Sequence, residues 1–229
     1  MSEEGDALPV LLVCGCRAHE IYLRAALTRF NRPGAWNVVG IIGDPTLTTP
    51  TFDDASRILT LPVPDTYAAL PTKIHAALSW IAQNWPDAPG VFKTDDDIIV
   101  TNISDLAAEI QTYVANGTPY GGLVTSHCSK GLVTAGRIRT NEPSNKCYGY
   151  YQSAQYCYGA GYWLSSEAVR VAVAATEDYS TSYIEDVCTG FVMNRAGFTP
   201  VRMTTEFKEI PRVNALLTYH LNQCPSSDT

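Results

Sequence analysis

The sequence predicts a single α/β domain with a mainly parallel, twisted central sheet flanked by helices and a less regular C-terminal half. Three observations carry that expectation. Short apolar, β-rich runs alternate with longer stretches whose apolar residues recur at helical spacing. The 229 residues are 45% hydrophobic and 17% charged, a globular composition with enough chain to bury one large core. No internal repeat and no low-complexity linker divides the chain.

The elements follow in order. "PVLLVCG" is an apolar run ended by glycine and reads as a buried strand. "HEIYLRAALTRF" places Ile21, Leu23, Ala26, Leu27 and Phe30 near helical spacing, and "RPG" stops it. "NVVGIIGD" is a second strand, and residues 45–56, rich in Thr, Pro and Asp, read as a loop. "RILTLPV" gives a third strand. In "DTYAALPTKIHAALSWIAQNW", Ile74, Ala77, Leu78 and Ile81 share a helical face, Pro71 suits the first turn and Pro86 ends the run. "GVFK" is a strand, "ISDLAAEIQTYVANG" a helix with a glycine stop and "YGGLVTS" a strand. The pattern dissolves over 127–155. It resumes with "GYWLSSEAVRVAVAA" (strand into helix), "IEDVCTGFVMNRAG" (helix) and "FTPVRM" (strand).

Composition narrows the function classes. A formal net charge of -7 argues against a nucleic-acid surface. No apolar run approaches the length of a membrane span, and the acidic start "MSEEGDALPVLLV" is unlike a signal peptide. The expectation is a soluble, cytoplasmic protein. Seven cysteines, an odd and scattered set, predict reduced structural thiols. The sequons at Asn102 and Asn116 are no more frequent than chance provides.

Chemistry concentrates in "GVFKTDDDIIVTN", where three aspartates sit between apolar strands. They lie beyond the carboxyl end of a sheet strand, where open α/β folds bind ligands. In extended backbone Asp95 and Asp97 point one way and Asp96 the other, with the first and third about 6.6 Å apart. At an effective dielectric near 20 such a pair repels by roughly 2.5 kcal/mol. A divalent cation, arginine partners or backbone donors must offset that, and hard oxygen ligands suit Mn2+ or Mg2+. An Asp-rich solvated turn or a helix cap is the competing reading.

Four blocks decide between them. "DTYAALPTK" (Asp65, Tyr67, Leu70, Lys73), "FKTDDDIIV", "YCYGAGYWLS" (Tyr156 to Ser165) and "EDVCTGFVMNRAGFTP" (Glu185 to Pro200) occur in one order. Together they resemble the inverting β-1,3-glycosyltransferases of family 31, which include the β-1,3-galactosyl- and N-acetylglucosaminyltransferases and the Fringe enzymes. The resemblance runs from about Asp65 to Pro200.

The resemblance implies a GT-A fold and a donor nucleotide sugar, usually UDP-linked, bound through Mn2+. It divides the single 1–229 domain into a nucleotide-sugar half (about 8–125) and an acceptor and base half (about 126–229). By analogy Asp97 ligates the metal, Asp95 faces the ribose and metal waters, and Asp96 supports them. GT-A enzymes often add a C-terminal histidine ligand, for which the sequence offers His220; a surface histidine is the alternative. The base that takes the acceptor hydroxyl's proton is the aspartate of the E-D-V block, Asp186, with Glu185 supporting it or touching the acceptor. First-turn acids that complement a helix dipole are the competing explanation.

Gly159 and Gly161 would let backbone approach the sugar or diphosphate, unless they only make a turn. Tyr67, Lys73 and Arg17 are candidates for the nucleotide, although Tyr67 and Lys73 do not share a helical face. His19 and His75 read as structural. Basic residues Lys130, Arg137, Arg139 and Lys146 in the 129–146 loop, with Tyr148, Tyr150 and Tyr151, suggest an acceptor-side lid or a solvated excursion. The family's Asn and Thr in the first block are Ala69 and Pro71 here, and its N-terminal segment is barely visible. A compact soluble relative of the microbial or viral kind is expected. Two other classes stay open: a metal-dependent nucleotidyltransferase or nucleotide-sugar hydrolase, and a non-catalytic sugar-binding module.

Overall fold

Six of the eight strands in the central sheet point the same way, and helices return the chain after the first and third of the early parallel strands. A computed structural model of the chain describes residues 7–125, 155–182 and 184–209. β1 (Val10–Cys14) is buried throughout and pairs in parallel with both β2 (Asn37–Gly43) and β5 (Gly90–Asp95). A parallel strand covered on both faces has no solvent side, which is why "VLLVC" is uniformly apolar rather than alternating. β4 (Ile58–Leu61) adds in parallel beyond β2. On the other flank β8 (Cys157–Ser165) is antiparallel to β5 and to β7 (Tyr120–Val124), and β9 (Val201–Arg202) closes that edge. With β3 (Thr51–Asp53) at the far edge, the spatial order is β3-β4-β2-β1-β5-β8-β7-β9.

Two of these departures correct the sequence reading. Residues 45–56 are not all loop: β3 (Thr51–Asp53) pairs antiparallel with β4, supplied with partners by that strand rather than by its own propensity. A second sheet pairs β6 (Ile98–Val100) with β10 (Phe207–Glu209), bringing the C-terminal segment beside the aspartate run.

The helices match their apolar faces. α1 (Glu20–Phe30) buries Leu23, Ala26, Leu27 and Phe30, but Ile21 is half exposed and lies off that face. α2 (Leu70–Asn84) buries Ile74, Ala77, Leu78 and Ile81 and begins with Pro71 in its first turn. α3 (Ile103–Ala115) is capped by Asn102, whose side chain accepts from the Ser104 N–H at 3.0 Å. α4 (Ser166–Ala174) is capped by Ser165. α5 (Thr176–Thr181) is a short helix that periodicity did not reveal, and α6 (Glu185–Arg195) follows.

The sheet has a separate core on each face. α2, α4, α5 and α6 cover one side, and α1, α3 and Met203 cover the other. The free thiols Cys14, Cys157 and Cys188 are buried in the first core, and burial pushes each up to about 12. Among the described residues no helix is long and apolar enough to cross a membrane.

Candidate active site

The carboxyl ends of β1 and β5 meet the amino-terminal half of β8 and the first turn of α6, and the acidic residues converge there. The Cys14 to Asp95 register aligns β1 with the end of β5, and the antiparallel Lys93 to Tyr162 pairing lays β8 alongside.

The extended reading of the aspartate run holds only to Asp95, where β5 ends. Asp96 and Asp97 form the turn into β6. Asp95 and Asp97 are half-buried and Asp96 is buried, so burial still alternates. The compensating charges come from the fold itself. Lys93 Nζ, 1% exposed, lies 2.7 Å from Asp95 Oδ1. Arg29 donates to the backbone carbonyls of Asp96 (3.1 Å) and Ile98 (2.9 Å), and the Asp96 and Asp97 carboxylates favour its charge against a dominant opposing effect of burial. The sequence reading named arginine as a candidate partner and did not consider a lysine.

Lys93 also ties this rim to α6. Its Nζ donates to the Gly159 carbonyl at 2.8 Å and lies 3.4 Å from Glu185 Oε2. Burial opposes the ammonium charge, but Asp95 and Glu185 outweigh it and hold Lys93 above its ordinary pKa. Glu185 is 3% exposed and accepts from the Tyr162 hydroxyl and from Thr189 Oγ1 (3.1 Å). Burial raises its pKa, against Lys93. A carboxylate so enclosed supports its neighbours and has little surface to offer a ligand.

Asp186 is the more open of the two. Its Oδ2 accepts from the Gly159 N–H at 3.0 Å and its Oδ1 from the Val187 N–H at 2.9 Å. Burial holds its pKa above the ordinary carboxylate value, against the lowering effects of those two N–H groups and Lys93. Ile184, the residue before the helix, gives no side-chain cap, so the first-turn acids answer the helix dipole, although the Asp186 charge disfavours that of Glu185.

The glycines separate into two kinds. A Cβ on Gly159 would stand 3.3 Å from Lys93 Nζ and 3.7 Å from an oxygen of each of Asp186 and Glu185, which places this residue inside the charged network. A Cβ on Gly161 would meet the Phe207 ring at 2.8 Å, so packing against β10 accounts for that glycine.

A second cluster lies at the ends of β1, β2 and β4. Arg17 is exposed, its guanidinium 3.3 Å from Asp44 Oδ2 and its backbone N–H bonded to Asp65. Lys73 is buried and spends its ammonium on the Gly15 carbonyl (2.7 Å) and Asp65 Oδ1 (2.8 Å). Tyr67 is 51% exposed in a 3-10 turn (Tyr67–Ala69) before α2. Tyr67 thus offers surface where Lys73 braces the cradle from within. His75 packs on Tyr179 and its Nε2 lies 3.0 Å from the Val173 carbonyl, and His19 sits edge-on to Tyr22. His220, the 129–146 loop and Tyr148, Tyr150 and Tyr151 lie outside the described residues.

Sequence reasoning missed the role of Lys93. The signal was present: a charged residue closes an otherwise apolar strand two positions before Asp95, on the same face by strand alternation. Tyr162 and Asp44 carried no comparable mark, because their partners come from distant segments.

The rim fits a divalent ion of the kind that takes most of its ligands from substrate and water. Among the described residues no three His, Cys, Asp or Glu side chains form a ready ligand group. Two half-buried carboxylates, Asp95 and Asp97, stand at the strand end instead. Mg2+-like ions are commonly held by one or two carboxylates plus substrate phosphates rather than by an all-protein cage.

Known proteins agree with this architecture. Human beta-1,3-galactosyltransferase 4 is 26% identical over 86% of this chain, which spans 63% of that protein's length. A glycosyltransferase involved in the glycosylation of the major capsid of PBCV-1 superposes with a TM-score of 0.53 at 10% identity, over 93% of this chain and 99% of that one. The 4-diphosphocytidyl-2C-methyl-D-erythritol synthase of Anaerococcus prevotii gives 0.52 at 10% identity, over 96% and 97%. Those two likenesses show the fold, the sheet and helix arrangement shared by GT-A and nucleotidyltransferase-like proteins. The galactosyltransferase family model matches residues 52–204, more than half of the chain, in the region that holds the aspartate run, Lys93, Gly159 and Asp186. The chain belongs to the galactosyltransferase family, as its four sequence blocks implied.

Proposed function

We propose that the protein is a metal-dependent inverting glycosyltransferase that moves a hexose or N-acetylhexosamine from a UDP-sugar to a hydroxyl of a saccharide or glycan. One observation carries this reading: a half-buried carboxylate, Asp186, lies in the same bonded network as the rim aspartates, through Gly159 and Lys93. The name of the human relative makes galactose the sugar to test first.

In this reading the 8–125 half binds the nucleotide sugar. Arg17, Tyr67 and the Asp44–Asp65 edge receive the nucleoside, and Lys73 holds that edge in place. Asp95 and Asp97 would hold Mn2+ or Mg2+, whose charge would stabilise the departing diphosphate. Asp186 accepts the acceptor hydroxyl's proton as that oxygen attacks the anomeric carbon, and the UDP–sugar bond breaks with its electron pair going to UDP. One displacement inverts the anomeric centre, so no covalent sugar–enzyme intermediate forms. Glu185 fixes the first turn of α6 from beneath.

A thermal-shift screen of UDP-sugars with and without Mn2+ tests the reading. Ligand at 100 times its Kd adds about 2.7 kcal/mol, which for a chain of this size raises Tm by about 5–11 °C. The expected result is a metal-dependent shift with a UDP-sugar, transfer of the sugar to a saccharide, and loss of the shift in Asp97→Ala. Nucleotidyl transfer or simple hydrolysis in place of sugar transfer, or sugar affinity with neither metal nor nucleotide, would overturn it.

A further inference from the structure

Lys93 is 1% exposed within the acidic network, and the three oxygens nearest its ammonium come from three different elements. Its Nζ reaches Asp95 Oδ1 of its own strand at 2.7 Å, the Gly159 carbonyl of β8 at 2.8 Å and Glu185 Oε2 of α6 at 3.4 Å. An ammonium has three N–H donors, and three oxygens lie within 3.4 Å of this one. Gly159 extends the chain of contacts, since its N–H donates to Asp186 Oδ2 at 3.0 Å. Enclosing a cation is costly unless it is fully answered. A methionine beside the Tyr162 ring, 5.7 Å from Nζ, would fill the same space, so core filling alone does not explain the lysine.

We propose that Lys93 is a positioning residue for sugar transfer: its ammonium ties Asp95 on the donor side to Gly159, and through Gly159 to Asp186 on the acceptor side, fixing the separation of the two carboxylates before either substrate arrives. This rests on the function proposed above. Lys93 is 1% exposed and touches no reacting atom; it acts through its neighbours. Attack on the anomeric carbon needs the base, the acceptor oxygen and the donor in line, and a displacement of about 1 Å in such an arrangement costs on the order of 100-fold in rate. Gly159 is hydrogen-bonded to both Lys93 and Asp186, and the 3.3 Å between Nζ and the place a Cβ on Gly159 would take shows how closely the bridge is drawn.

The same geometry sets a second expectation. An ammonium 2.7 Å from Asp95 repels a divalent ion held by that carboxylate. Removing the charge therefore favours metal binding while it frees Asp95 and Gly159 to move. Turnover then falls without a loss of binding, which a general loosening of the fold does not produce.

The test uses Lys93→Met and Lys93→Gln in the full chain, the second keeping an N–H donor without the charge. Calorimetry measures Mn2+ and UDP–Mn2+ affinity, and steady-state kinetics measure kcat and KM for the parent's donor and acceptor. The expected result is UDP–Mn2+ affinity equal to the parent's or tighter, with kcat lower on the order of 100-fold in the Met variant and an intermediate value in the Gln variant. Should the Met variant not fold, the Gln variant decides by the same comparison. Parental kcat in a folded variant, or affinity that falls together with kcat, overturns the positioning role alone. A parent protein that transfers no sugar overturns the functional reading and this role with it.

Discussion

Replacing Asp186 with asparagine separates the base from its scaffolding. Two N–H groups hold the carboxylate, Gly159 at 3.0 Å on Oδ2 and Val187 at 2.9 Å on Oδ1. Asparagine keeps the shape and one acceptor oxygen, so one donor keeps its partner and the other faces an amide NH2. The lost charge-assisted bond is worth about 1.5–3 kcal/mol. Against that, the neutral amide escapes the burial that disfavours the Asp186 charge. A net cost of about 1 kcal/mol lowers Tm by about 2–4 °C, and the fold survives. UDP–Mn2+ affinity should match the parent, because Asp95 and Asp97 sit on β5 and its turn while Asp186 sits on α6. Turnover should not match: general-base catalysis contributes about 100- to 10,000-fold, and kcat falls by that amount. Calorimetry with UDP and Mn2+, thermal denaturation and a UDP-release assay with acceptor present give the three quantities. An asparagine variant with the parent's kcat would refute the assignment of the base.

Three further outcomes follow from the same geometry. The acidic limb of kcat/KM reports the base, and because burial raises the Asp186 pKa, activity should be lost as pH falls through a value above the usual carboxylate range; a limb inside that range, near about 3.9, would count against it. Glu185 is raised as well, so the folded chain holds these protons more tightly than the unfolded one, and their contribution to stability, present at low pH, is lost as pH rises through the window between the unfolded and folded pKa values; Glu185→Gln should flatten its share of that dependence, and a profile of Tm against pH that the substitution leaves unchanged would contradict it. Lys73→Met leaves the largely buried Asp65 without its cation, a loss of about 3–5 kcal/mol that lowers Tm on the order of 10 °C, whereas a raised donor KM at parental Tm would make Lys73 a nucleotide ligand instead. Gly190→Ala puts a Cβ 2.2 Å from Tyr156 Cβ, so overpacking should cost about 1–3 kcal/mol, and an unchanged Tm would refute the close contact of α6 with Tyr156.

What was legible in the sequence depended on whether a residue's neighbours are local. "VLLVC" could be assigned because burial on both faces forces an unbroken apolar run, and the α2 face could be assigned because Ile74, Ala77, Leu78 and Ile81 fall on one stripe. β3, β10 and α5 could not. "TFD" is a strand because the edge of β4 offers it hydrogen bonds, "FKE" because β6 does, and "TEDYST" is a helix anchored by the single buried ring of Tyr179. The site divides in the same way. The density of aspartates marked the rim, and the E-D-V block marked α6. Which of Glu185 and Asp186 turns inward depended on where α6 meets β8, since adjacent helical residues diverge by roughly 100°. The role of Lys93 depended on the antiparallel placement of β8, which no local pattern records.

Two cations answer the three aspartates, and this bears on the role of a metal. Asp95 is neutralised by Lys93, and Arg29 braces the turn through the Asp96 and Ile98 carbonyls while its charge attracts the carboxylates of Asp96 and Asp97. The repulsion expected between bare carboxylates is therefore answered by the fold's own cations, and an ion is not needed to assemble the rim. Chelation separates a structural ion from a substrate-borne one. With excess EDTA the protein's Tm should stay at its untreated value, while the extra stabilisation given by UDP-sugar and Mn2+ should disappear. A chain that unfolds on chelation alone would show that Lys93 and Arg29 do not suffice, and that the ion belongs to the fold rather than arriving with the donor.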